Sequence, residues 1–397
     1  MAKPPPFDPG IQDGTSGTAP YDDARLYASA TDAATERLAR KKATCPRERP
    51  ASNERTFNAT VHGLRGIAAM LVFLAHMLGG VGEHIYAEVP GYLRLTLAPW
   101  NFGRWGVWLF FVISGFVILP SVLRYSPSEF ALRRLLRLYP LFLAFSLVFI
   151  LTNALTNAYP ALNDWRTIIP ALLMINLVTQ TEQLTPNAWS LSYEVVFYTL
   201  CCLIVHAGLR TGNRTITLLL CVISLAFVWR YPAMAFFLGG IAVRLLHERR
   251  AWPPERLRPW LEIGTFGCCL VLASVRHYTF GHEDLRDVRT YGLFLSTIAY
   301  FYMAIGPASL SSRILANRAT AYLGTVSYSL YMCHPYTYFA LRALFVQAGL
   351  FTANWVGSMA LFLGCTIPLT LLFTQGVYRS LERYPYRRFF HERIFHK

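Results

Sequence analysis

Eleven apolar runs separated by short polar links succeed one another from residue 64 to residue 375. They occupy residues 64–80, 105–123, 141–155, 168–178, 191–207, 215–229, 234–246, 261–275, 291–305, 322–344 and 355–375. Most approach the roughly 20 apolar residues that a helix needs to cross the hydrocarbon core of a bilayer, so they predict membrane spans. The run at 168–178 is too short for that, contains Pro170, and is expected to be re-entrant or to lie at the outer surface. The pattern predicts an all-α polytopic membrane bundle of about ten transmembrane helices. Residues 81–104, which contain Gly, Pro and Glu, read as a loop, and residues 124–140 as a basic link.

Composition agrees: 54% of the chain is hydrophobic and 15% charged, too apolar for an ordinary soluble domain. The net charge of +15 would elsewhere suggest nucleic acid, but the Lys and Arg residues sit between apolar runs without an RNA- or DNA-binding motif. Their distribution instead sets orientation. If residues 168–178 do not cross, the links on one side hold 27 Lys and Arg and those on the other hold seven. A basic excess marks the cytoplasmic side, so both termini are expected there. Residues 1–55 read as a disordered basic cytoplasmic tail without a secretory signal, residues 56–385 as the membrane domain, and residues 386–397 as a second basic tail. Seven of the eight cysteines lie in or beside apolar runs, which suggests packing groups rather than disulfides or metal ligands. No metal site is expected.

Against this apolar background a few polar residues stand out. The first run, LRGIAAMLVFLAHMLGG, carries Arg65 and His76. Charged and titratable groups inside a span are costly and usually functional. Eleven residues at about 100° each return almost to the same helix face, and place the pair about 16 Å apart along the axis. They read as the mouth and the interior of one site. Arg133, Arg134 and Arg137 precede Tyr139 and can hold phosphates through their guanidinium forks, or equally bind anionic lipid headgroups. Glu194 follows Trp189 and Ser190 in NAWSLSYEVV. It is a candidate to orient an imidazole or bind acceptor hydroxyls, or else a glutamate favoured near a helix N-terminus. His334 precedes Pro335 at a depth similar to that of His76, as a second active histidine or a packing one. Ser114-Gly115 reads as a helix contact, and His62, His84, His277, His282, His391 and His396 as loop or terminal residues without metal spacing.

In order along the chain, LRGIAAMLVFLAH with its R-x10-H spacing, WGVWLFFVISGFVI, RRLLRLYP, WSLSYEVVFY, RYPAMAFFLGG from Arg230, LGTVSYSLYMCHP and LERYP make up a set. Together they resemble the acyltransferase-3 family of integral-membrane O-acyltransferases, over nearly everything from residue 53 to residue 385. The resemblance implies transfer of an acyl group, typically acetyl from cytoplasmic acetyl-CoA, to a hydroxyl of a glycan or lipid-linked saccharide. It implies a bacterial inner-membrane protein with acyl-CoA as co-substrate and no bound cofactor. It also implies Arg65 and His76 as the essential pair and Glu194 as the matched acid. Arg133, Arg134, Arg137 and Tyr139 become donor contacts, and His334, Trp189, Ser190 and Arg230 supporting or acceptor-side residues. Val195 stands where many members have a second acid, so no role relying on that acid is expected. With few residues after Pro385, the hydrolase-like domain that some relatives carry is not expected. The rival class is a transporter or flippase using intramembrane His and Arg, though no inverted repeat is visible.

Overall fold

In the computed structural model, residues 58–390 apart from Pro186 are described. The expected tail at 1–55 and the final residues 391–397 lie outside them. Helices account for the described architecture, with no strand among these residues: α1 (Ala59–His84), α2 (Pro90–Arg124), α3 (Pro127–Thr156), the short α4 (Trp165–Leu172) and α5 (Asn176–Thr179), and α6 (Trp189–Val205). They continue with α7 (Arg214–Arg230), α8 (Ala235–Glu248), α9 (Arg258–Val275), α10 (Val288–Ala304), α11 (Leu310–Leu315), α12 (Arg318–Gln347), α13 (Trp355–Val377) and α14 (Tyr384–Phe390). A helix stands at each of the ten long predicted runs.

Five helices are long and apolar enough to cross a membrane on their own: α1, α2, α3, α6 with its extension to Arg210, and α13 with its extension to Arg388. A sixth span arises if α7 and the segment Pro232–Glu248 count together, but that pair is bent by 119°. α12 is long enough yet too polar, because Ser327, Ser329 and His334 are buried on it. Its polarity faces the protein interior rather than lipid. The run at 168–178 forms α4 and α5, the longer of which reaches only about 12 Å at 1.5 Å per residue.

Two sequence expectations are corrected. Residues 90–104 are helical, not loop: Pro90 occupies the first turn of α2, where its missing N–H costs nothing, and only residues 85–89 connect α1 to α2. The basic link is likewise the start of α3, capped by Ser126, whose Oγ accepts from the Glu129 amide at 3.3 Å. A helix there separates neighbouring arginines by about 100°, which decides which of them reach the interior.

The core forms where α1, α2, α6, α8 and α12 meet. Trp108 stacks on Phe236 at 5.5 Å, and Phe111 on Phe237 at 4.3 Å. Two glycine contacts bring backbones together. Gly66 of α1 lies against Gly324 of α12, and Gly115 of α2 against the Phe237 carbonyl of α8. A side chain at either site would collide with main chain, the small-residue logic of helix packing in membranes. Gly115 thus fulfils the helix-contact expectation, while α7, which buries no residue, lies at the periphery.

Candidate active site

Helix periodicity sorts the polar residues into two chambers. On α6, Ser190, Glu194 and Tyr198 follow at intervals of four and share a face. On α3, Arg134 and Arg137 are three apart and share another. These meet Arg65 of α1, Ser114 of α2, and Ser327, Tyr328 and Tyr331 of α12 around a cavity of about 670 Å³, counting its open mouth. Its lining holds three guanidiniums and one carboxylate, Glu194. Glu194 accepts from Ser114 Oγ at 2.8 Å and from the Tyr198 hydroxyl. It is therefore tied to this arginine chamber, and does not orient His76.

Arg65 and Arg137 make no side-chain hydrogen bond among the described residues. Two carboxylates lie near enough to act on both guanidiniums: Glu194, and the buried Glu382, which accepts from Ser329 Oγ at 2.6 Å.

The second chamber, about 500 Å³ with its opening, is lined by His76, Trp100, Gly103, Arg104, Asn187, Trp189 and His277 together with Val72, Ala75, Val107 and Tyr331. His76 Nδ1 lies 2.8 Å from the Val72 carbonyl. A carbonyl only accepts, so the proton is on Nδ1 and the Nε2 lone pair of the neutral ring is free to act as a base. Arg104 donates to His277 Nε2 at 3.1 Å and lies 5.2 Å over the Trp189 ring, while Trp100 stacks on His277 at 5.8 Å. Burial, followed by the nearby Arg104 charge, lowers the His277 pKa to about 4. His277 is therefore a neutral acceptor for Arg104 at ordinary pH.

Arg65 and His76 project from the same side of α1, as their spacing predicts, but they do not line one cavity. Each lines its own chamber, and only Val107 and Tyr331 line both. The single mouth-to-interior site expected from sequence is thus two rooms with a common wall.

Other sequence-predicted residues fall in different places. Trp189 lines the histidine chamber and Ser190 the arginine chamber. His334 lines neither: it is fully buried behind His76, with ring centroids 5.0 Å apart, Nδ1 at 3.1 Å from the Leu330 carbonyl, and Nε2 without a partner. Arg133 turns away to pair with Glu129 at 2.7 Å and to cover the Tyr125 ring at 4.0 Å. Tyr139 packs on Phe142. Arg230 donates to Gln180 at 2.9 Å, outside both chambers. Val195 packs against the apolar core. His62 and His84 stand on α1 rather than in loops, and His62 Nε2 lies 3.0 Å from the Ala321 carbonyl of α12.

Sequence reasoning missed Arg104, His277, Asn187, Val107 and Tyr331. Arg104 was hidden by reading its segment as a loop. As helix, Arg104, Val107, Phe111 and Ser114 form one stripe at intervals of three and four, a signal present in the sequence.

A family model described as an acyltransferase domain, that of the acyltransferase-3 family, matches residues 58–375. The chain belongs to that family. No curated protein and no solved structure gives a match. The matched span contains every residue of both chambers, so the acyltransferase-3 domain and the two-chamber core are the same part of the chain. Its long apolar helices and this membership make it an integral membrane acyltransferase.

Proposed function

We propose that this acyltransferase moves an acyl group, acetyl in the first instance, from cytoplasmic acyl-CoA to a hydroxyl of a glycan or lipid-linked saccharide. The observation that carries the reading is the convergence of Arg65, Arg134 and Arg137 on one chamber, where three guanidiniums still outnumber the two carboxylates near them, Glu194 and Glu382. Guanidinium clusters of this kind suit the phosphates of coenzyme A. In this reading the arginine chamber faces the cytoplasm, about ten spans cross the bacterial inner membrane, and both termini are cytoplasmic. No bound cofactor or metal is required.

The chemistry centres on His76 Nε2. The acceptor hydroxyl loses its proton to this nitrogen as its oxygen attacks the thioester carbonyl, the C–S bond breaks as the C–O bond forms, and the proton passes to the departing thiolate. In the two-step variant Nε2 itself takes the acyl carbon as the C–S bond breaks, the departing thiolate takes the ring proton and leaves as the thiol, and the acceptor oxygen then displaces the imidazole while its proton returns to the ring. Both use the same atom. His334, packed against His76, fixes that ring's position, and Arg104 supplies positive charge in the same chamber. Trp100 and Trp189 offer faces on which a sugar ring can stack.

The test is to incubate purified protein with radiolabelled acetyl-CoA and a panel of methyl glycosides and polyprenyl-linked oligosaccharides. Covalent label on an acceptor, lost in His76→Ala protein that still inserts in the membrane, is the expected result. Undiminished transfer by His76→Ala would end the proposal, and solute movement without covalent label would favour a transporter.

A further inference from the structure

Val107 and Tyr331 line both chambers, and the two are held differently. Pro335 has no N–H, so the carbonyl four residues earlier, that of Tyr331, loses its usual helical partner. The Asn187 side-chain amide donates to that carbonyl instead. At the other end of the same residue, the Tyr331 hydroxyl donates to the Asn187 carbonyl at 2.9 Å and lies 2.8 Å from Ser190 Oγ. One asparagine therefore clasps Tyr331 at both ends. Val107, 5% exposed on α2, is held by packing alone.

We infer that Val107 and Tyr331 form a filter for acyl length, which admits a short unbranched acyl group from the arginine chamber to His76 and holds back longer ones. The inference rests on the proposed donor reading and deepens it by naming the donor class. A thioester bound through the arginines has to present its acyl carbon to His76 Nε2 on the other side of the wall, so the acyl group passes between these two side chains. An acetyl group extends past its carbonyl by one methyl. A six-carbon chain would have to push the Tyr331 ring off its two hydroxyl contacts or move α2 against α12. Packed apolar passages discriminate by about 10- to 200-fold per methylene. Tyr331 is fixed and Val107 is not, so residue 107 is the position where size tunes the filter. These are specificity residues; the filter itself makes and breaks no bond.

The experiment compares initial rates with acetyl-, butyryl- and hexanoyl-CoA, using full-length protein in lipid nanodiscs and whichever glycoside or lipid-linked oligosaccharide accepts acetyl. Wild-type protein should favour acetyl over hexanoyl by at least about 100-fold. Val107→Ala should raise the hexanoyl-to-acetyl ratio by about tenfold or more, and Val107→Phe should lower the butyryl-to-acetyl ratio. Tyr331→Phe keeps the ring but removes its hydroxyl contacts, and should raise the hexanoyl-to-acetyl ratio several-fold even if the Val107 variants do not fold. Equal wild-type rates with acetyl and hexanoyl donors would overturn the filter while leaving the transferase reading intact. Ratios unmoved in Val107→Ala and Tyr331→Phe would overturn it equally. Absence of transfer from every acyl-CoA would instead remove the donor reading on which the filter depends.

Discussion

The chamber around Arg65 gathers three guanidiniums against two nearby carboxylates, Glu194 and Glu382, whereas the chamber around His76 holds one guanidinium, Arg104, and pairs it with neutral partners, the His277 imidazole and the Trp189 ring. Charge density of the first kind suits a polyanion with several phosphates. A lone cation among stacked aromatic rings beside a free imidazole nitrogen suits an uncharged polyol and a proton in transit. The difference teaches that two environments of opposite character stand along α1, about three helical turns apart, which the proposed function divides between donor and acceptor.

That division is broken most sharply by comparing His76→Ala with Arg65→Lys. Removing a general base typically costs 10²- to 10⁴-fold, so His76→Ala should lower kcat by about that much with little change in the KM for acetyl-CoA. Arg65→Lys keeps the charge and loses the fork, and should raise the donor KM by about tenfold while kcat changes less. Steady-state kinetics with acetyl-CoA as the varied substrate checks both; the reverse assignment of kcat and KM effects would dissolve the distinction.

The wall comes next. Asn187→Ala removes the Asn187 amide from the Tyr331 carbonyl in a buried site, a loss worth about 1–3 kcal/mol. Thermal unfolding in detergent should show a lower Tm, and an unchanged Tm would mean that Asn187 does not hold the wall.

The smallest effect concerns pH. His277 has a pKa of about 4 in the folded protein against about 6.5 unfolded, so between these values the unfolded chain binds the proton first. Its stabilising bond with Arg104 is fully present above pH ~6.5 and is lost as pH falls towards 4. Tm measured across pH 4 to 7 should fall less steeply on acidification in His277→Gln than in wild type. Parallel curves would remove His277 from the account.

How much of this was readable in the chain differs from residue to residue. The shared face of Arg65 and His76 follows from eleven residues of helix, and the partnership of Arg134 with Arg137 from three. Arg133 was grouped with them because a run of arginines looks alike until a helix rotates one away towards Glu129. The loop reading of residues 81–104 concealed Arg104, since the Gly, Pro and Glu that end α1 and start α2 occur together around a connection of only five residues. Tyr331 shows the opposite limit. Its role comes from Pro335 four residues later and from Asn187, 144 residues earlier, a relation that no local period encodes. The expectation of one continuous cavity failed for the same reason: helix spacing places two groups on a face but cannot see what a neighbouring helix inserts between them.

Equilibrium binding of coenzyme A to His76→Ala and to Arg137→Gln, measured side by side by calorimetry on protein in nanodiscs, tests the division of labour most directly. The account predicts wild-type affinity for His76→Ala and a loss of about tenfold or more for Arg137→Gln, weakening further as salt is raised. Unimpaired binding by Arg137→Gln, or binding lost in His76→Ala, would contradict it.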